Sequence, residues 1–321
     1  MPTTTVITGG AGFIGSHLCE KLLAQGQYVV AVDNFDSYYD PKRKRANIAG
    51  LVSHPGFTLI EADICDRPAL TALFKDRKPD RVANLAAVAG VRASIERARD
   101  YVDVNLNGTI SVMDAARAAG VPHILLGSTS SVYGASEQIP FTEDQSTDHP
   151  LAPYPASKKA AEVMAYAYHN LFGTQFTILR FFTVYGPRVR PDMMAFMVID
   201  KLVKDEAINL FDNEDLRRDW TYVDDICAGV MAALDKPQPF EVMNIGRGQP
   251  VRLRDFVDIL SGLVGKSPKL TITPTPASEP LVTYASIDKA RRLLGYEPTT
   301  SINEGLAATW TWYQQEFQIK P

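Results

Sequence analysis

The sequence predicts an α/β fold in which a doubly wound parallel sheet is followed by a smaller, mixed α/β C-terminal domain. Three observations carry that expectation. Through about residue 182, short β-branched runs alternate with helical patterns. The runs are apolar throughout rather than at every second residue, as strands covered on both faces are. After Phe182 the alternation breaks, and Pro187, Pro191, the charged FDNEDLRRDW and the Pro-rich TPTPASEP interrupt shorter elements. The expected division is therefore 1–182 and 183–321, with EVMNIG (241–246) a candidate strand returning to the main sheet.

Taken in order, TTVIT is the first strand and leads into VITGGAGFIGSHL, which sets Gly9, Gly12 and Gly15 between a strand and the helix FIGSHLCEKLLAQG. Glycines there allow a tight turn, close approach of a pyrophosphate, and close helix–sheet packing, while the helix N-terminus offers free N–H groups to phosphates. YVVAVD is the second strand and ends in Asp33. A carboxylate at that point accepts from an adenosine ribose and repels a 2′-phosphate, which favours NAD over NADP. The third strand, FTLIEAD, ends in Asp63, read equally as an adenine contact and as a helix N-cap. RVANLAA is next, then the helix GTISVMDAARAAG, closed by glycine as helix C-termini favour. HILLGST opens into STSSVYG, and FTILRFF completes the alternation. The pattern is that of a Rossmann dinucleotide-binding domain.

The 321 residues carry a net charge of −4 and no long Lys/Arg run stands out, which argues against a nucleic-acid surface. No apolar run approaches the ~20 residues of a membrane span, and MPTTTVITGG enters a strand directly, with no pattern of a secretory signal. Cys19, Cys65 and Cys227 are odd in number and widely spaced. They fit neither a disulfide framework nor a metal site, and a reducing cytoplasm is the plain reading.

YPASK places Tyr154 and Lys158 four residues apart. On a helix beginning at Pro155, both share one face. A free tyrosine has a pKa of ~10, and acting as a base near neutral pH requires a drop of ~3, or ~4 kcal/mol of differential stabilisation. A nearby ammonium and an oxidised nicotinamide would favour the phenolate.

TGGAGFIG, LAAVAGVR, STSSVYG, YPASK and RRDWTYVDD stand here in the order and spacing of extended short-chain dehydrogenase/reductases acting on nucleotide sugars. The chain resembles that family nearly end to end, including NIGRG and DKARRLLGYEPTTSINEGL. The resemblance implies a catalytic triad of Thr129, Tyr154 and Lys158, with Ser128 the alternative hydroxyl. It implies NAD contacts at Gly9, Gly12, Phe13, Ile14, Gly15, Asp33, Asn34, Asp63, Ile64, Leu85, Ala86, Ala87, Asn105, Tyr154 and Lys158. It also implies a UDP-sugar substrate and a homodimer. Asn84 and Val88 stand where relatives often carry other residues, as do Pro276, Glu279 and Ser286.

Members of this family begin by oxidising the sugar at C4. Relatives that go on to dehydrate carry an Asp-Glu pair in the hydroxyl loop, and those that decarboxylate carry a glutamate at the position of Ser131. With no acid there, the simplest outcome is rotation of the ketone and hydride return to its opposite face, a 4-epimerisation. RFFTVYGPRVRPDM (180–193), with Thr183 where neutral-sugar epimerases often carry Asn, most resembles the UDP-glucuronate 4-epimerases, which interconvert UDP-glucuronate and UDP-galacturonate. Arg190 is then the expected partner of the C6 carboxylate, helped by Ser130 and Ser131. Its alternatives are a surface charge or a pyrophosphate contact. Arg218 resembles the arginine on the UDP pyrophosphate, Arg92 is a substrate-side candidate, and Asn209 and Phe211 are candidates for uracil contacts. The rivals are a 4-epimerase of UDP-glucose or UDP-N-acetylglucosamine, a UDP-glucuronate decarboxylase, and a Rossmann redox sensor, which would not need Tyr154 and Lys158.

Overall fold

The computed structural model describes residues 2–213, 215–275 and 280–319; the departures at Pro276 and Glu279 lie outside them. Its main sheet contains β1 (Thr4–Thr8), β2 (Tyr28–Asp33), β3 (Phe57–Glu61), β4 (Arg81–Asn84), β5 (His123–Thr129), β6 (Gln175–Phe181) and β7 (Phe240–Ile245). All neighbours are parallel, in the order β7-β6-β5-β4-β1-β2-β3. Strand order turns back between β1 and β4, so a crevice opens at their carboxyl ends, where ligands bind in such sheets. The returning strand is real: 240–245 pairs with β6 along its length, so a single cut at residue 182 does not separate the main sheet from the C-terminal half of the chain.

Helices α1 (Phe13–Ala24), α2 (Pro41–Ile48), α3 (Arg67–Arg77), α4 (Thr109–Ala118), α5 (Pro153–Phe172) and α6 (Val223–Asp235) account for much of the cover. Consecutive strand residues serve opposite cores, as the pleat requires. Ile7, Ala31 and Leu125 pack with Leu18 and Leu22 of α1 and Val230 of α6 in one core. Val6, Val30 and Ile124 pack with Phe74 of α3, Val112 of α4 and Ala161 of α5 in the other. This two-sided burial is why the strands do not alternate apolar with exposed polar residues.

Beyond β6 the chain builds two small sheets. One joins Thr183–Tyr185, Arg217–Tyr222, Pro250–Arg252 and Val282–Thr283, and the other pairs Ala207–Phe211 with Lys269–Thr273. Among the described residues no helix is long and apolar enough to cross a membrane.

Candidate active site

The turn after β1 depends on its glycines. Gly9 has φ of +68°, and a Cβ on it would lie 2.9 Å from the Ala86 nitrogen. A Cβ on Gly15 would lie 2.1 Å from the Gly9 carbonyl oxygen, so no side chain fits there. Gly12 caps α1 without any side-chain hydrogen bond, and Lys21 is the only basic residue in the last turn. The first-turn N–H groups therefore face the crevice as donors, a setting suited to a pyrophosphate.

Asp33 closes β2 and is buried. Its carboxylate accepts from the backbone N–H of Ala11 at 3.1 Å and of Phe35 at 2.9 Å, and Lys44 Nζ stands 3.5 Å away. Two backbone donors and one ammonium leave lone pairs of the carboxylate for a ribose diol. Asp63 is no helix cap: α3 is capped by Asp66, which accepts from Ala69. Asp63 instead accepts from the Cys65 N–H and from Asn34 Nδ2, joining the loops after β2 and β3.

One cleft is lined by Gly9, Gly12, Phe13, Ile14 and Gly15, by Asp33 and Asn34, and by Asp63 and Ile64. Leu85, Ala86, Ala87, Tyr154, Lys158 and Arg190 complete its wall. Of the expected cofactor contacts only Asn105 is absent from it. Its amide is fully buried behind the wall, donating to the Val88 carbonyl and Ser157 Oγ and accepting from the Val88 N–H. Asn105 thus shapes the loop after β4 from behind. Asn84 is buried likewise, between Thr8 and Thr109.

Helix α5 begins at Pro153 rather than at the expected Pro155, with extended Ala152 as its cap. Both prolines fall in the first turn, whose N–H groups have no intrahelical partner to lose. Tyr154 and Lys158 still share a face. Thr129 acts on the Tyr154 phenol in favour of its ionised form, whereas Ser128 donates to Glu162 at 2.6 Å. The two hydroxyl candidates are thereby separated by partner. Burial pushes the Tyr154 phenol up, with the Thr129 hydrogen bond and the Arg190 charge opposing. Arg190, expected first as the partner of the substrate carboxylate, is thus also a cation whose charge acts on the phenol. Burial pushes Lys158 down to about 8, against the pull of the Glu162 carboxylate one turn on.

Beneath these groups lies a buried ion pair that the sequence did not announce. Arg180 of β6 donates from Nε and Nη2 to the two Glu162 oxygens at 3.1 and 2.8 Å, and from Nη1 to Tyr133. Tyr133 donates on to Asn244 of β7. The pair joins α5 to β5 and β6 directly behind the tyrosine and lysine.

The remaining candidates are spread around the mouth. Ser130 and Ser131 sit half-buried in one turn of 3₁₀ helix, with the Ser131 N–H donating to Thr129 Oγ1. Thr183 begins a strand of the second region, opposite Trp220. Exposed Arg92 stacks over Phe211 at 5.8 Å, a contact between the two regions of the chain. Asn209 lies exposed on the same strand as Phe211. Arg218 Nη1 donates to the Arg217 carbonyl, and the residue does not line the cleft. Ser286, one of the departures, donates its N–H to the Phe141 carbonyl and its hydroxyl to Asp288. Tyr38, Tyr39 and Lys44 line the cleft and were not foreseen, because they come from the loop and helix after β2, where no motif stands out.

Residues 5–246 match the family model described as the NAD dependent epimerase/dehydratase family. The chain belongs to that family. A UDP-glucuronate 4-epimerase from Thermodesulfobacterium geofontis is 40% identical over 315 residues, covering 98% of this chain and 97% of that protein. The Bacillus cereus UDP-glucuronic acid 4-epimerase, solved with UDP-glucuronic acid and NAD, superposes with a TM-score of 0.92 at 36% identity, over 98% and 100% of the two chains. A UDP-glucose 4-epimerase from Thermotoga maritima, solved with UDP-glucose, gives 0.89 at 26% identity, again over 98% and 100%. The fold is common to these epimerases, and the sequence stands nearer to those of the acidic sugar.

Proposed function

We propose that the protein is a UDP-glucuronate 4-epimerase, interconverting UDP-glucuronate and UDP-galacturonate. The observation that carries the reading is Arg190, a guanidinium in the same cleft wall as Tyr154, in a chain whose hydroxyl loop holds Ser131 and no acid. The family match and the 40% identity to a UDP-glucuronate 4-epimerase support it.

The uncapped α1 N-terminus, the glycine cradle and the half-used Asp33 carboxylate fit NAD. When bound, NAD supplies the acceptor and donor for hydride at C4. Tyr154 takes the proton of the C4 hydroxyl and later returns one, while Thr129 orients that oxygen. Lys158 lends positive charge to the phenolate. Arg190, with Ser130, Ser131 and Thr183, holds the C6 carboxylate away from alignment with the C4 ketone, the geometry in which a β-keto acid loses CO₂. No side chain at 128–131 is an acid able to protonate a decarboxylated or dehydrated sugar, so the ketone's remaining path is return to the alcohol.

We assign the UDP moiety mainly to residues 183–321, with Arg218 on the pyrophosphate, Asn209 and Phe211 at the uracil, and Arg92 closing over Phe211. We also propose a homodimer joined through the outer face of α5, where Val163 and Tyr166 are each 58% exposed. Three free thiols suit the cytoplasm.

The test is to incubate the purified protein with UDP-glucuronate, UDP-glucose and UDP-N-acetylglucosamine without added NAD, and to identify the products. UDP-galacturonate from UDP-glucuronate, with no pentose product, is expected. Net accumulation of NADH, or turnover of the neutral sugars alone, would overturn the reading.

A further inference from the structure

Arg190 does not stand alone in the cleft. Its Nε donates to Asp192 Oδ1 and its Nη2 to Oδ2, both at 2.9 Å, a two-toothed pair within one loop. The Tyr38 hydroxyl, from the loop after β2, donates to the same Oδ2 at 3.1 Å. Arg190 keeps its charge through this pairing, and Asp192 stays ionised; the guanidinium is largely buried, while the Asp192 side chain keeps 35% of its surface exposed. A guanidinium has five N–H donors on three nitrogens. Asp192 occupies the Nε/Nη2 edge. Nη1 has no hydrogen-bond partner among the described residues, so the second edge of the fork is left for another acceptor.

We propose that Asp192 is a specificity-determining positioning residue, a built-in carboxylate that shares Arg190 with the C6 carboxylate of the substrate and limits how tightly the sugar is held. This rests on the reading of the protein as a UDP-glucuronate 4-epimerase. A 4-epimerase must present both faces of one ketone to one reducing centre, so the ring has to leave its first pose and take a second. A desolvated guanidinium paired with the sugar acid alone would favour one pose and oppose that turn. With Asp192 already on the fork, much of the positive charge is neutralised before the substrate arrives. The sugar carboxylate then binds opposite a like charge, across a shared guanidinium. An acidic sugar is still preferred to a neutral one, since only it meets the open edge, and the grip stays weak enough to be exchanged. Tyr38, which lines the cleft, ties down Asp192 through its hydroxyl, and the Arg190 guanidinium lies over its ring at 5.9 Å.

Asp192→Asn tests this, because it keeps the size of the side chain and an acceptor for Arg190 while removing the charge. Binding of UDP-glucuronate and of UDP is measured by calorimetry on wild-type protein and variant, alongside kcat and KM. The expected result is UDP-glucuronate bound about five- to tenfold more tightly, UDP affinity unchanged, and kcat reduced about fivefold or more. UDP affinity also serves as the check on folding, since UDP lacks the carboxylate. A variant whose UDP-glucuronate affinity is unchanged or weaker, or changes in step with that for UDP, overturns the proposal. Wild-type protein that does not convert UDP-glucuronate overturns the functional reading on which it rests, and this is seen before the variant is measured.

Discussion

At the scale of single residues, the chemistry turns on how one cleft distributes charge. Tyr154 is pushed up by burial, and Arg190 and Thr129 are what pull its phenol back toward ionisation in the protein alone. Replacing Arg190 by Ala removes both that field and the open edge of the fork. We expect Arg190→Ala to lose most activity on UDP-glucuronate and to release some pentose-type product, read by chromatography of the nucleotide sugars; normal turnover would refute the carboxylate clamp. Lys158 has a different signature. Its ammonium is held down to about 8 by burial, so the cationic fraction fades as pH rises through that value. A fall in kcat/KM above about pH 8 is expected as a result, and Lys158→Arg, which stays charged, is expected to move that limb upward in a pH profile. Of the candidate residues, Tyr154 and Lys158 were legible in their spacing, and Thr129 and Arg190 through the family resemblance of the motifs that carry them. Asp192 and Tyr38 were not, since 154 residues of chain separate two side chains that meet only when the loops fold together.

At the scale of elements, what holds the catalytic face is the Glu162–Arg180 pair between α5 and β6. Both side chains are almost completely buried, and Ser128 adds a third tie from β5. Removing one partner leaves the other charged and dry. Glu162→Gln is accordingly expected to destabilise the protein by about 3–5 kcal/mol, measured from the shift in a urea unfolding curve. An unchanged midpoint would show the pair to be idle. The sequence read α5 correctly as a helix but placed its start at Pro155. Two prolines in one first turn look alike in a linear pattern, and the extended Ala152 that decides between them is a backbone conformation, not a residue type. Asp63 carries the same lesson: the sequence left adenine contact and helix cap open for it, and only the fold shows Asp66 taking the cap.

For the whole molecule, the predicted doubly wound sheet is the one observed, and its crevice lies where strand order turns back between β1 and β4. The exposed Val163 and Tyr166 on α5 belong to this scale. If that face joins two copies, changing both residues to Glu gives a species of monomer mass in sedimentation velocity, while the unaltered protein sediments as a dimer; identical sedimentation of the two would remove this face from the interface. What the sequence determined by itself is everything written in local pattern: the alternation of apolar strands with helices, the glycine turn, the acid ending β2, the Tyr–Lys spacing, and the missing acid in STSSVYG. These are short-range constraints of backbone geometry and burial, and they leave a trace in neighbouring residues. What only the tertiary structure decided is which groups from separate elements share a charge: Lys44 with Asp33, Glu162 with Arg180, and Tyr38 with the Arg190–Asp192 pair. Electrostatic pairing depends on separation in space and on exclusion of water, and neither is a property of position along the chain.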